Sequence, residues 1–193
     1  MPDATVLEAC VRVMGRGGPA DFTLSEVAKE AGLAPATLIQ RFGSKRGLLL
    51  ALAQMAAEGA DACFATVRAR HRSPLKALLA SFEEMARMAE TPEALANSLA
   101  FLQMDLVDPD FRKWMLVNSR ATTAGFRALL DDAVRAGELR RCDTRGLARL
   151  IQAAAHGSMV AWAVYQEGSV AEWLRRDMEL LLAPYKRRRR ITG

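Results

Sequence analysis

Thr37, Gln40 and Arg41 lie within five residues of one another and carry a hydroxyl, an amide and a guanidinium. That is the hydrogen-bonding set that base edges in the DNA major groove accept. Glutamine pairs with N6 and N7 of adenine, arginine with O6 and N7 of guanine, and a threonine or alanine methyl meets the thymine methyl. A helical wheel over 35–42 puts Leu38 and Phe42 on one face as an i, i+4 apolar pair. Gln40 points away from that pair, Ala36 and Thr37 flank it, and Ile39 and Arg41 lie at the borders. Taken alone, these polar groups equally describe a solvated helix face. What surrounds them favours DNA.

The surrounding residues spell a helix, a tight turn and a second short helix. Thr23 stands as N-cap with Glu26 at the third helical position, the sequence form of a capping box. Phe22 before the cap and Val27 after it form a hydrophobic staple. Gly32 follows Ala31 where a left-handed residue closes a helix, and Pro35 suits the first turn of the next. Gly43 ends that helix and Ser44 caps a longer one. This order predicts a helix-turn-helix with 35–42 as the recognition helix. Lys45 and Arg46 then fall in the first turn of the following helix, where the macrodipole disfavours cations and a phosphate would offset the cost. Thr23 and Ser25 place hydroxyls at the start of the helix over 24–31. These four are expected to contact phosphates, which set register and carry no sequence information.

The rest of the chain is read as helices. Helix 1 is expected over 4–14, from the stripe Val6, Leu7, Cys10, Val11 and Met14. Further helices are expected from 45 to about 71, 74–89, 92–107, 109–136, 144–166 and 170–182. Several open on a cap followed by proline, as at Thr91-Pro92 and Asp108-Pro109. That makes nine helices and no strand, an all-α chain.

Composition narrows the function classes. The net charge is +5, and Lys186, Arg187, Arg188, Arg189 and Arg190 account for it. Without them basic and acidic residues balance. The stretch 31–57 holds Arg41, Lys45 and Arg46 and no acid, so one surface there is expected to be positive. The three cysteines, Cys10, Cys63 and Cys142, have no metal spacing. They read as reduced thiols of a cytosolic protein, with redox sensing as the alternative. The first residues lack a signal-peptide pattern, and no apolar run reaches the roughly 20 residues needed to cross a bilayer. An enzyme fails for lack of groups: His71 and His156 are the only histidines, and there is no phosphate loop or metal spacing. A helical adaptor that binds protein through its body remains a competing reading.

One such reader makes too few contacts for genomic specificity, so a two-fold dimer is expected. Two stripes in the last helices could form its interface: Leu150, Ile151, Ala154, Gly157, Ser158 and Ala161, and Val170, Trp173, Leu174, Met178 and Leu181. They could equally be internal core. Phe82, Met85, Phe101, Met104, Trp114, Met115, Asn118, Phe126, His156 and Trp162 could line an adaptable apolar pocket or be ordinary core. The basic tail is expected to be disordered. It serves either solubility or a nonspecific phosphate contact.

Residues 4–50 resemble the TetR family of transcriptional regulators. The resemblance rests on the Thr23 cap after an apolar residue, Val27-Ala28, Ala31-Gly32-Leu33, Thr37-Leu38, Phe42 and Ser44-Lys45. It implies Thr23 and Lys45 as phosphate contacts and Ala36, Thr37, Ile39, Gln40 and Arg41 as the recognition face. It also implies a homodimer bundled through the last two helices and an inducer pocket in the body. Ile39 stands where the family usually has tyrosine. Ala34 replaces the usual Ser or Thr cap, a loss of about 1 kcal/mol. The usual basic residue before helix 1 is missing. The expected organisation is a DNA-binding domain over 1–50, a helical effector-binding and dimerisation domain over 51–185, and a basic tail over 186–193. The expected function is a dimeric, cytoplasmic repressor released from a pseudo-palindromic operator by a small, largely apolar ligand. No cofactor, metal or membrane partner is expected. A ligand-independent regulator or an activator is the alternative.

Overall fold

The computed structural model describes residues 2–19, 21–87 and 89–187. Among the described residues nine α-helices follow one another: α1 (Asp3–Arg16), α2 (Leu24–Ala31), α3 (Pro35–Phe42), α4 (Lys45–Arg70), α5 (Pro74–Ala86), α6 (Pro92–Val107), α7 (Pro109–Arg135), α8 (Thr144–Tyr165) and α9 (Val170–Leu182). A 3-10 turn, Ala183–Tyr185, closes the series. The caps form as the sequence requires. Ser73, Thr91, Asp143 and Ser169 each accept a backbone N–H from the first turn of the following helix. At Ser169 the reciprocal bond from its own N–H to the Glu172 carboxylate is also made.

The chain divides into two compact units, 1–59 with 89–119 and 60–88 with 120–193. This differs from the boundary expected at residue 50. Residues 89–119 join the unit that holds the short helices, and the chain passes between units three times rather than through α4 alone.

In the first unit α1 packs on α2 and α6, and α2 packs on α3. Its core combines Val6, Cys10 and Val13 of α1 with Phe22, Val27, Ala28, Leu38, Leu48, Phe101 and Phe111. Phe22 and Phe101 meet edge to face at 5.7 Å, a geometry that adds to the area they bury. The i, i+3, i+4 stripe predicted for helix 1 is therefore its buried face, except that Val11 is half exposed.

In the second unit α9 packs on both α5 and α8. Phe126 is fully buried, stacked on Phe82 at 5.4 Å and met edge-on by Phe64 at 5.1 Å. Polar ties close its periphery. Arg68 Nε donates to Asp132 at 3.1 Å, and the Leu75 N–H donates to the Glu138 carboxylate at 2.8 Å.

Two expectations are corrected here. Among the described residues α4, with 26 residues, is long and apolar enough to cross a membrane, although no such run was expected. Leu48 and Leu49 nevertheless lie in the core of the first unit, and Glu58 and Asp61 stand exposed in mid-helix. Lys186 and Arg187, expected in a disordered tail, are paired. Leu139 and Lys186 form an isolated antiparallel bridge, and the Arg187 N–H donates to Glu138 O at 3.2 Å. The tail residues 188–193 lie outside the described residues.

Candidate nucleic-acid interface

The reading head is assembled from local rules. Thr23 Oγ1 accepts the Glu26 N–H at 3.1 Å and starts α2. Gly32, at φ 68°, turns the chain out of α2 in the left-handed region. Leu33 N–H reaches back to Ala28 O at 2.8 Å, the signature of a Schellman closure. A side chain with a Cβ would be strained there, so Gly32 sets the angle at which α3 leaves. Ala34 precedes α3 without a side-chain cap, as its type dictates, while Pro35 occupies the first turn.

α3 presents its faces as the wheel requires. Leu38 is completely buried, whereas Ala36, Gln40 and Arg41 are exposed and Thr37 is partly so. Ile39 is 53% exposed, so it projects rather than packs. The helix is anchored through Leu38, with Phe42 packed partly against the same core, and leaves an outer surface of amide, methyl and hydroxyl groups.

α4 approaches α3 closely. Ser44 Oγ accepts the Gly47 N–H at 3.0 Å, and Ser44 N–H donates to Phe42 O at 2.9 Å. A Cβ on Gly47 would stand 2.1 Å from Phe42 O. Gly47 is what lets the first turn of α4 pack against the end of the recognition helix.

The four cations and hydroxyls expected on phosphate differ in state. Thr23 and Ser25 are exposed at the start of α2. Lys45 is partly buried; its Nζ donates to Pro19 O at 2.8 Å and lies 5.5 Å from the Phe22 ring centre. Arg46 is not an unengaged phosphate ligand. Its guanidinium contacts Asp110 at 2.7 Å and Asp108 at 2.9 and 3.0 Å, with the Phe111 ring 5.6 Å away. Hydrogen bonds to Asp110 and then Asp108 raise the Arg46 pKa further, and the bond from Arg46 lowers that of Asp108. Arg41 lies by the Phe42 ring and pairs with Asp3, at the start of α1.

These pairs, with the clamp of Arg12 and Arg16 on Glu30 between α1 and α2, escaped sequence reasoning. Arg46 and Asp108 are 62 positions apart, and no periodicity links them. Hydrogen bonds from Arg16 and then Arg12 hold the Glu30 carboxyl below its ordinary range.

The sequence pattern of "Bacterial regulatory proteins, tetR family" matches residues 6–52, from α1 into α4. The HTH-type transcriptional regulator BetI of Agrobacterium fabrum is 32% identical over 143 residues, spanning 69% of this chain and 68% of that protein. The chain belongs to the TetR family. It is thus a DNA-binding transcriptional regulator and not an enzyme. The TetR-type fold extends along the chain in two solved structures. A regulator from Saccharomonospora viridis in complex with choline superposes with TM-score 0.73 at 16% identity, covering 96% of this chain and 98% of that one. FadR from Bacillus subtilis in complex with stearoyl-CoA superposes with TM-score 0.67 at 17% identity, covering 93% and 97%.

Outside the TetR reading head the expected sites are redistributed. The ten pocket candidates divide between the units. Phe101 and Met104 belong with the core of the first, and Trp114, Met115 and Asn118 are half-buried in the same unit. In the second, Phe82 and Phe126 are stacked core, Met85 is half-buried, and Trp162 is buried with its indole N–H on Gly168 O at 3.1 Å. His156 is exposed on α8. Of the eleven dimer candidates, Ile151, Ser158, Val170, Leu174 and Met178 are buried within the single chain. They are covered by their own chain, in which α9 packs on both α8 and α5. Ala154, Ala161, Trp173 and Leu181 are half-buried, and Leu150 and Gly157 are exposed.

Proposed function

We propose that this TetR-family regulator is a homodimeric, cytoplasmic repressor that a small, largely apolar ligand releases from a pseudo-palindromic operator. The observation that carries the DNA-reading half is the division of α3: Leu38 is buried while Ala36, Ile39 and Gln40 project. In this reading Ala36, Thr37, Ile39, Gln40 and Arg41 face the base edges, and Thr23, Ser25 and Lys45 anchor phosphates.

Support for a dimer comes from exposed apolar groups on α8. Leu150, Val160 and Val164 are 53%, 43% and 76% exposed, with Ala153 and Gly157 between them. Positions 150, 153, 157, 160 and 164 repeat at three and four residues, the spacing of a helix–helix seam. Leu180 of α9 is 65% exposed. Burying such groups against a second copy is favourable at about 25 cal/mol per Å². The ligand half draws on the two neighbours bound to choline and to stearoyl-CoA. These two similarly folded regulators carry chemically different molecules, which supports a ligand for this chain.

The test is binding of the purified protein to the DNA flanking its own gene, across a salt series with competitor DNA. Gln40→Ala should weaken binding in a sequence-dependent way. Lys45→Ala should weaken it uniformly and reduce the salt slope by about 0.9. Equal binding by wild type and both variants would overturn the assignment. Val164→Glu should convert the dimer to a folded monomer in sedimentation. Mass spectrometry of solvent extracts, followed by release of operator DNA on adding the extracted compound, tests the ligand.

A further inference from the structure

The strongest charge feature outside the reading head lies where the chain after α7 meets the chain after α9. Arg140 N–H donates to Tyr185 O at 2.8 Å, Arg187 N–H donates to Glu138 O at 3.2 Å, and Leu139 bridges Lys186 between them. Leu139 is fully buried and pins this two-strand strip to the second unit. The strip sets Arg140, Arg141, Lys186 and Arg187 side by side, all exposed. Among the described residues none of the four forms an ion pair. Arg140 lies over the Tyr185 ring at 5.4 Å, which orients the guanidinium without engaging its N–H groups in an ion pair. The nearest carboxylates in sequence bond to backbone and not to these cations: Glu138 accepts the Leu75 N–H and Asp143 accepts the Gly146 N–H. Arg188, Arg189 and Arg190 follow directly in the sequence.

Concentrating exposed like charge that makes no ion pair is unfavourable, and a polyanion partner would recover that cost. The chemistry favours phosphodiester over other anions. Three of the four groups are guanidinium forks, which bind phosphate in bidentate fashion. The strip offers no large exposed apolar side chain to enter a bilayer: Leu139 is buried and Tyr185 is half-buried beneath Arg140. We propose that this pinned arginine strip is a second, sequence-independent binding surface for duplex-DNA phosphates, separate from the recognition helix. It adds electrostatic affinity for any duplex, and therefore residence on DNA between operators. Each phosphate it neutralises adds about 0.9 to the salt slope.

The experiment titrates full-length protein with a random-sequence duplex of about 25 base pairs between 50 and 200 mM salt. The variant Arg140→Gln/Arg141→Gln/Arg187→Gln removes three charges and leaves the backbone bonds of the strip in place. It should reduce the magnitude of the slope by two to three, so that wild type loses about 40-fold more affinity than the variant over this range. The charge-preserving variant Arg140→Lys/Arg141→Lys/Arg187→Lys should retain most of the slope. The ratio of operator to random-duplex affinity at fixed salt should be the same in the triple glutamine variant as in wild type, which separates this proposal from the operator reading. An unchanged slope in the triple glutamine variant overturns the proposal. So does an unchanged DNA slope combined with loss of binding to phosphatidylcholine vesicles containing phosphatidylserine, which would assign the strip to a membrane surface.

Discussion

Replacing Gly47 by alanine adds one methyl group at the tightest contact of the reading head. The new Cβ would stand 2.1 Å from the carbonyl oxygen of Phe42, the last residue of the recognition helix. A relaxed carbon–oxygen contact needs about 3.3 Å, so α3 and α4 must separate by about 1 Å. The oxygen is backbone and already holds the Ser44 N–H at 2.9 Å, so it has no rotamer by which to escape. Overpacking of this kind costs about 1–3 kcal/mol. The better helix propensity of alanine returns up to about 1 kcal/mol. The net expectation is a loss of about 1–2 kcal/mol, or a Tm lower by about 2–8 °C for a chain of this size. DNA binding should fall at least tenfold, because a bidentate base contact worth about 1–3 kcal/mol does not survive a displacement of that size. Gly59→Ala is the matched control: it lies in the same helix, and its Cβ would meet nothing within 4 Å. It should stabilise by about 0.5–1 kcal/mol and leave operator affinity unchanged. Thermal melts at one protein concentration and operator titrations read both effects. If Gly47→Ala melted higher than wild type and bound DNA equally well, the close approach would not be what positions α3.

Removing the carboxylates that engage Arg46, by Asp108→Asn with Asp110→Asn, should release its guanidinium to phosphate. The salt slope should steepen by about 0.9, and adding Arg46→Ala should abolish the gain; a gain that persists would assign the effect to the carboxylates' own repulsion. Glu30 is depressed below its ordinary pKa of 4.5 by Arg16 and Arg12. Its contribution to stability is therefore complete above that pH and is lost as pH falls through the folded value. Denaturant titrations of Glu30→Gln should show a shallower fall between pH 5 and 3 than wild type, and parallel curves would refute the clamp. Burial pushes the Cys10 thiol up to about 12, so at pH 8 iodoacetamide should label exposed Cys63 and spare Cys10 until the protein unfolds. Equal labelling rates in peptide maps of the native protein would contradict this.

The reading head was legible in the sequence because its determinants are local. Thr23, Gly32, Pro35 and Gly43 act on backbone within a few residues, and Leu38 with Phe42 settles which face of α3 turns inward. The cap at Thr91 was legible for the same reason. The interface stripe on α8 was only half legible. A helix with apolar residues on more than one face does not say which face meets its own chain. Ile151 and Ser158 turned inward, while Val160 and Val164 were left outside. The environment of the pocket candidates was less legible still. Phe101 and Phe126 have the same residue type and similar patterning, yet they are core residues of different units.

By itself, then, the sequence determined the helices, the turn chemistry between them and which residues of α3 turn outward. Those depend on φ/ψ preference, capping and periodicity over one or two turns. Tertiary structure decided which charges remain available. Arg46 looked like a phosphate anchor until packing brought Asp108 and Asp110 within 3.0 Å of it. Arg140 and Arg141 looked unremarkable until the bridge between Leu139 and Lys186 set them beside the basic tail. A side chain's charge is written in the sequence. Its partner is chosen by contacts made tens of positions away, and one-dimensional pattern carries no record of those.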